Sequence, residues 1–245
     1  DDATPDSKGS ELIVKRTLSA SQKSQLQSSD ARIGLETATP KTLLGKYADL
    51  GKGSVTGDGP HYLRKFWEIR PAVTDWRPWL NTPREGDGFS GRESFAFWKN
   101  DGQDVRREIG AWLRGDNVFG RAGILINKTT LAWTSYAGEM FDDNTGAIIP
   151  LDNQDLKAIL AFVTDAGFPA SVKKVDQSLK VTIGSFGKIP FDQTHWQKVA
   201  AEKYPQSLPK PFSNDPTQWL FKSHPVGADQ PLHVAAARLV GYQWP

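Results

Sequence analysis

Apolar and polar positions change period several times along this chain, and each change marks an element. Residues 11–28 place Leu12, Ile13, Val14, Leu18 and Leu26 among helix formers, which predicts a helix after a polar lead-in over 1–10. Thr39-Pro40 opens a second, short helix around 41–49, since Pro is permitted in a first turn. The glycine-rich stretch 51–60 predicts a loop. Over 93–99, Phe95, Phe97 and Lys99 alternate with Ser94, Ala96 and Trp98, the period of a strand. A short helix is expected over 104–113. Three strands follow, in 123–126, closed by Asn127-Lys128, in 131–137 and in 145–149, with Asp143-Asn144 turning between the last two. Leu156, Ile159, Leu160 and Val163 recur at helical spacing within 153–175, and Gly167-Phe168-Pro169 divides that run into two helices. A strand over 179–183, its continuation over 186–190, and a helix over 192–204 capped by Asp192 complete the ordered part. A Pro-rich linker over 205–216 and a helix over 231–240 close the chain.

Strands and helices mix without a regular βαβ rhythm, so the expected class is α+β. No repeat is visible. With 38% hydrophobic residues, including nine Trp and twelve Phe, a 245-residue chain buries a substantial core. No apolar run approaches the roughly 20 residues that span a bilayer. The absence of cysteine excludes disulfides and thiolate zinc sites and fits a cytoplasmic location. The chain opens on Asp1 and its one Met is Met140, which suggests a piece of a longer protein.

Net charge is +2, from 30 basic and 28 acidic residues, so any nucleic-acid surface must come from local clustering. Three zones concentrate cations. The first holds Arg64, Lys65, Trp67, Arg70, Trp76, Arg77, Trp79 and Arg84. The second holds Arg92, Trp98, Lys99, Arg106, Arg107, Arg114 and Arg121, and the third Lys173, Lys174, Lys180 and Lys188. Guanidinium groups read guanine edges and grip phosphate, and aromatics interleaved with them suit base stacking or wedging. Acidic residues (Glu68, Asp75, Glu85, Asp87, Glu93) are interleaved too, so ordinary surface ion pairs are the competing reading. Catalytic signatures are missing. The glycine pairs 51–53 and 57–59 lack the lysine of a phosphate-binding loop, the four His are scattered, and no nucleophile elbow occurs. Asn214-Asp215-Pro216 is followed by Thr217 and Gln218, which breaks the Pro-Pro-aromatic tetrad that amino-methylating DNA enzymes use on a flipped base.

The order of the segments is informative beyond their composition. LLGKYADLGKGSVTGDGPHYLRKFWEI (43–69), GDNVFGRAGILIN (115–127), YAGEMFDDNTGAIIPLDNQDLKAILAFV (136–163), VKKVDQSLKVTIGSFGKIPFD (172–192), HWQKVAAEKYPQSLPKPFSNDPTQWLF (195–221) and LHVAAARLVGYQWP (232–245) resemble the C-terminal recognition region of large bacterial adenine-specific (N6) DNA methyltransferases of the single-chain restriction–modification and phage-exclusion type. Residues 115–192 are also similar to the target-recognition domains of type I specificity subunits. The resemblance implies a small twisted sheet with flanking helices. It divides the chain into a flexible lead-in and helical linker (1–42), a DNA target-recognition domain (43–192) and a C-terminal helical segment with a Pro-rich linker (193–245).

It further implies a module that recognises double-stranded DNA in sequence. The partner is then the catalytic methyltransferase domain of the same parent chain, which would hold S-adenosylmethionine; this chain has neither that domain nor a cofactor of its own. The Thr56-Gly57-Asp58 run with Tyr62, Arg64, Lys65 and Trp67 matches a signature of the family. By resemblance Arg64 and Lys65 meet phosphate and Asp58 orders the loop, while the alternative makes this loop a structural turn and Trp67 core. Lys180 and Thr182 fall where the resemblance places an approach to DNA. With Arg92, Arg106, Arg107, Arg114, Lys128, Lys173 and Lys174 they complete the candidate contacts. A protein-docking module of a methylation–restriction complex, using 205–221, is the alternative function.

Overall fold

The computed structural model describes residues 4–14, 21–25, 42–69, 75–84, 88–210, 213, 215 and 217–218. Two compact units are present, Asp1–Thr42 and Leu43–Pro245. In the first, helix α1 spans Pro5–Val14 and α2 spans Gln22–Gln25. Helix α1 thus starts inside the stretch expected as lead-in. Pro5 supplies the fixed φ of a first turn, and Ser7 donates to the Thr4 carbonyl (2.9 Å). The expected helix over 231–240 lies outside the described residues.

The second unit is α+β. Its strands are β1 (Ala48–Lys52), β2 (Val55–Thr56), β3 (Leu63–Lys65), β4 (Trp76–Leu80), β5 (Ser94–Phe97), β6 (Ala111–Trp112), β7 (Gly123–Asn127), β8 (Trp133–Tyr136), β9 (Met140–Phe141) and β10 (Thr145–Pro150). The first sheet has the order β1-β10-β7-β8 and is antiparallel throughout, the second the order β3-β5-β4-β9, and β2 pairs with β6 in a two-stranded ribbon. Every residue of β7 and β10 is buried. Ile124, Ile126 and Ile148 face one way, toward the helical layer, and Leu125, Ala147 and Ile149 face the other. Burial on both faces explains why these segments read as unbroken apolar runs rather than alternations. Each fully buried Ile contributes about 1.5–3 kcal/mol.

The helical layer consists of α5 (Leu156–Val163), α6 (Phe168–Val175), α7 (Ile183–Phe186) and α8 (Gln193–Lys203). Asp192 caps α8 by accepting from the His195 amide (3.0 Å), as its position predicts. The buried carboxylate of Asp155, just before α5, accepts from Gln193 (2.8 and 2.9 Å) and Gln197 (3.0 Å) and so ties α5 to α8. On the opposite face, Leu80 of β4 and Phe141 of β9 bring the second sheet onto Leu125, Ala147 and Ile149. Ser94, Ala96 and Trp98 form the buried face of β5, as the alternation predicts.

Several segments differ from expectation. Of the expected helix 41–49, the described residues 42–49 form a 3-10 turn, Leu44–Lys46, and then the start of β1, because Ala48 and Leu50 pack beneath the helical layer and β1 pairs with β10 from Ala48↔Pro150 to Lys52↔Gly146. The glycine-rich stretch 51–60 holds the end of β1, all of β2 and the start of α3 (Gly59–Tyr62). Helix α4 (Gln103–Arg107) stops early, and Ala111–Trp112 turns into strand. Residues 179–190 contain no strand. Asp176 accepts from the Ser178 amide (3.1 Å), the Thr182 amide (3.0 Å) and the Ser185 hydroxyl (2.7 Å), which curls this segment into a loop and α7. Among the described residues, no helix is long and apolar enough to cross a membrane.

Candidate nucleic-acid interface

Four loops converge where the two sheets meet. They follow β4 (residues 81–84), join β7 to β8 (128–132), join β9 to β10 (142–144) and lead into α7 (176–182). Thr82 donates to the Asp142 carboxylate (3.1 Å), and the Asn127 amide donates to the Pro83 carbonyl (3.3 Å). The Lys128 amide donates to the Asn144 carbonyl (2.9 Å), and the Val181 amide to the Lys128 carbonyl (2.8 Å). Residues up to 60 positions apart are thereby held as one surface.

The β7–β8 turn is itself constrained. The Asn127 carboxamide accepts from Thr129 (2.8 Å) and Thr130 (3.2 Å), and Leu131 sits in the left-handed region at φ 63°. That conformation costs a β-carbon residue roughly 1–2 kcal/mol. Burial of the Leu131 side chain in the helical-layer core offsets it.

Cations line this end. Lys128, expected as a contact, is a correction: it is buried with its Nζ 3.5 Å from the Asp143 carboxylate, and burial, with Lys180 nearby, pulls its pKa below the ordinary lysine value although Asp143 opposes the change. Lys180 is exposed and donates to the neutral Asn144 carboxamide (2.8 Å), so its charge is not cancelled by that partner. Arg84, 70% exposed, stands 3.9 Å from Glu93. Lys65 stands 3.6 Å from the same buried carboxylate. Beside it Arg64, Lys65, Glu68, Asn81 and Ser94 line an open cleft of about 480 Å³. Arg64 donates to the Pro60 and Leu63 carbonyls, which fixes one edge of its guanidinium against α3. Gln218 is buried against Glu93, which immediately precedes β5. It accepts from the Arg92 amide (2.6 Å) and donates to Glu93 (3.3 Å).

The other predicted residues divide. Asp58 accepts from the His61 amide (3.1 Å) and caps α3, the ordering role expected of it. Tyr62 is a correction: it is buried, and its hydroxyl donates to Glu108 (3.2 Å), so it cannot reach a nucleic acid. Burial first, then Glu108, raises its pKa. Arg92 is a third correction. At 2% exposure it donates to the Thr134 hydroxyl (2.8 Å), the Ser135 carbonyl and the Ser135 hydroxyl (3.2 Å), which makes it a structural cross-link. Arg106 and Arg107 are exposed on α4, Arg106 over the Trp98 ring at 5.8 Å. Arg114 lies over the Trp112 ring at 4.6 Å, just beyond the ribbon strand β6. Lys173 donates to the Ser178 carbonyl (2.7 Å), and Lys174 is exposed beside it on α6. Thr182 is exposed, with its hydroxyl 2.8 Å from that of Ser185. Asn127 and Asn144 are not among the expected contacts, nor is Arg84, which the sequence places only in the first cation zone. The Asn-Lys and Asp-Asn turn pairs are the signal for the two asparagines. Among the described residues no group of three or more His, Asp or Glu stands close enough to hold a metal ion.

No protein-family model matches the sequence, and no curated protein does. Among solved structures, the chain is similar to the HsdS subunit from Thermoanaerobacter tengcongensis at 12% identity and a TM-score of 0.39. That similarity covers 80% of this chain and 42% of the other, so the chain spans less than half the length of that subunit.

Proposed function

We propose that the chain recognises sequence in double-stranded DNA for an adenine-N6 DNA methyltransferase of the restriction–modification or phage-exclusion kind. In this reading the methyl-transfer chemistry and its S-adenosylmethionine belong to a catalytic domain of the same parent. The observation that carries it is the convergence of four loops bearing Arg84, Lys128 and Lys180 beside the Arg64–Lys65 cleft. Arg84 and Lys180, exposed on rigidly held turns, are cations that hold phosphate, and the exposed Asn144 carboxamide and the Arg84 guanidinium are groups that read base edges. The family resemblance of the sequence supports the methyltransferase context.

Fluorescence anisotropy of a labelled random-sequence 30-base-pair duplex, titrated with salt, tests this. Affinity falls steeply with salt, and Lys65→Ala with Lys180→Ala flattens the log–log slope by about 0.9 for each phosphate no longer neutralised. An affinity indifferent to salt, or a slope unchanged in the double variant, would sink the assignment. Of the stretch 205–221, the alternative docking surface, the described residues 205–207, 209, 210 and 217 are exposed. Ser213 and Gln218 there are buried, and Gln218 is engaged with Arg92 and Glu93.

A further inference from the structure

The ribbon carries an apolar surface that the phosphate-binding cations do not use. In the β2–β6 pair, Val55 lies opposite Trp112 and Thr56 opposite Ala111. Thr56 is buried, whereas Val55 is 40% and Trp112 58% exposed, so the outward face is the apolar one. A period of two adds Arg114 to that face, and its guanidinium covers one side of the Trp112 ring at 4.6 Å. Ile109, just before β6, is 92% exposed. Glu108 beside it is turned away, accepting from the Tyr62 hydroxyl (3.2 Å) and the Ile109 amide (3.1 Å).

The ribbon is rooted in the loop cluster. The Arg114 amide donates to the Ser54 hydroxyl (3.0 Å), which donates back to the Arg114 carbonyl (2.8 Å). The Asp143 amide donates to the Ser54 carbonyl (3.1 Å), and the Asp143 carboxylate is the partner of Lys128. Trp112 is two residues from Arg114, roughly 7 Å along the strand. A nucleic acid lying on Lys180, which donates to Asn144 next to Asp143, therefore passes close to an aromatic ring open on one face and backed by a cation on the other.

We infer that Trp112, backed by Arg114 and flanked by Val55 and Ile109, is a stacking platform for an unpaired base. The inference rests on the DNA reading above. An enzyme that acts on the amino group of adenine must take that base out of the duplex, which leaves its partner without a pair. A sequence-tolerant π-surface next to a phosphate-gripping lysine suits such an orphaned base, because every base has a face to stack. A protein partner is the rival occupant. The guanidinium laid over the ring and the nearness of the Asn144–Lys180 turn favour nucleic acid.

The test compares two labelled 30-base-pair duplexes, one fully paired and one with a central abasic site opposite thymine. The wild-type chain binds the abasic duplex tighter by about tenfold, the worth of one stacked base. Trp112→Ala removes that preference but keeps the salt dependence on the paired duplex. Ile109→Ser, at a fully solvated position, reduces the preference and controls for misfolding, with circular dichroism confirming both variants folded. Equal binding of the two duplexes by wild type, with salt dependence intact, refutes the platform and leaves the DNA reading standing. A preference that survives Trp112→Ala also refutes it. Absence of salt-dependent binding to either duplex overturns both readings, and if Trp112→Ala then abolishes association with a separately purified methyltransferase domain, the face is a protein contact.

Discussion

Replacing Arg92 by Ala separates structure from recognition in a stretch of sequence dense in cations. The side chain is 2% exposed and linked to β8 by a 2.8 Å bond to Thr134, itself fully buried, and by bonds to the Ser135 carbonyl and hydroxyl. The bond to the Ser90 carbonyl at 3.4 Å and the approach of Glu139 at 3.9 Å are too long to add much. Two strong charge-assisted bonds are worth about 1.5–3 kcal/mol each. Truncation also leaves the buried Thr134 hydroxyl and the half-buried Ser135 carbonyl without their cation. The expected loss is therefore about 3–5 kcal/mol, a large share of the roughly 5–15 kcal/mol that holds an ordinary domain folded. Arg92→Lys keeps the charge but not the fork, and reaches one acceptor in place of two, so its loss is about half as large. Equilibrium urea unfolding followed by circular dichroism measures both, and anisotropy with a DNA duplex, corrected for the folded fraction, measures binding. Affinity per folded molecule stays unchanged. A stability loss below about 1 kcal/mol, or lost affinity in a variant that remains stable, would show that Arg92 is not the cross-link described.

Two further expectations concern the loop cluster. At Gly53 an added Cβ would stand 2.8 Å from the Asp143 nitrogen and closer still to the Asp142 carbonyl. Gly53→Ala therefore pushes the ribbon root off the β9–β10 turn, at about 1–3 kcal/mol, and hydrogen exchange reads it as faster loss of the Asp143 amide proton; protection equal to wild type would contradict the close approach. Asp176 is held far below the usual carboxylate range, first by the Ser178 hydroxyl, then by the Thr182 amide and the Ser185 hydroxyl. A depressed pKa contributes stability above the unfolded value of about 3.9, lost as pH falls through the folded one. The Asp176 carboxyl carbon, followed by NMR, should stay in its ionised position well below that pH, and Asp176→Asn should weaken DNA binding at neutral pH by loosening the loop that presents Lys180. A carboxyl titrating at the ordinary value would remove the basis for both.

Legibility in the sequence followed how locally each element is determined. The apolar runs of β7 and β10, the break at Gly167 between α5 and α6, and the Asp192 cap depend on neighbours within a few residues, and each is readable. Residues 179–190 mislead, because the spacing of Leu179, Val181 and Ile183 mimics a strand while the bonds that set the loop come from Asp176, outside that pattern. The site shows the same division. Lysine at 128 and 180 signals cations near turns, but their meeting with Arg84 and Lys65 depends on bonds across tens of residues. Residue type alone does not reveal that Arg92 and Tyr62 are interior.

Gln218 gives the second sheet an order of completion. Arg92 and Glu93 lie 126 and 125 positions ahead of it, so a ribosome synthesises both long before their shared amide exists. Until then Glu93 has only its lysine and arginine neighbours as partners. A nascent or truncated chain that ends short of this glutamine leaves the buried Arg92 amide and the Glu93 carboxylate without the partner that joins them.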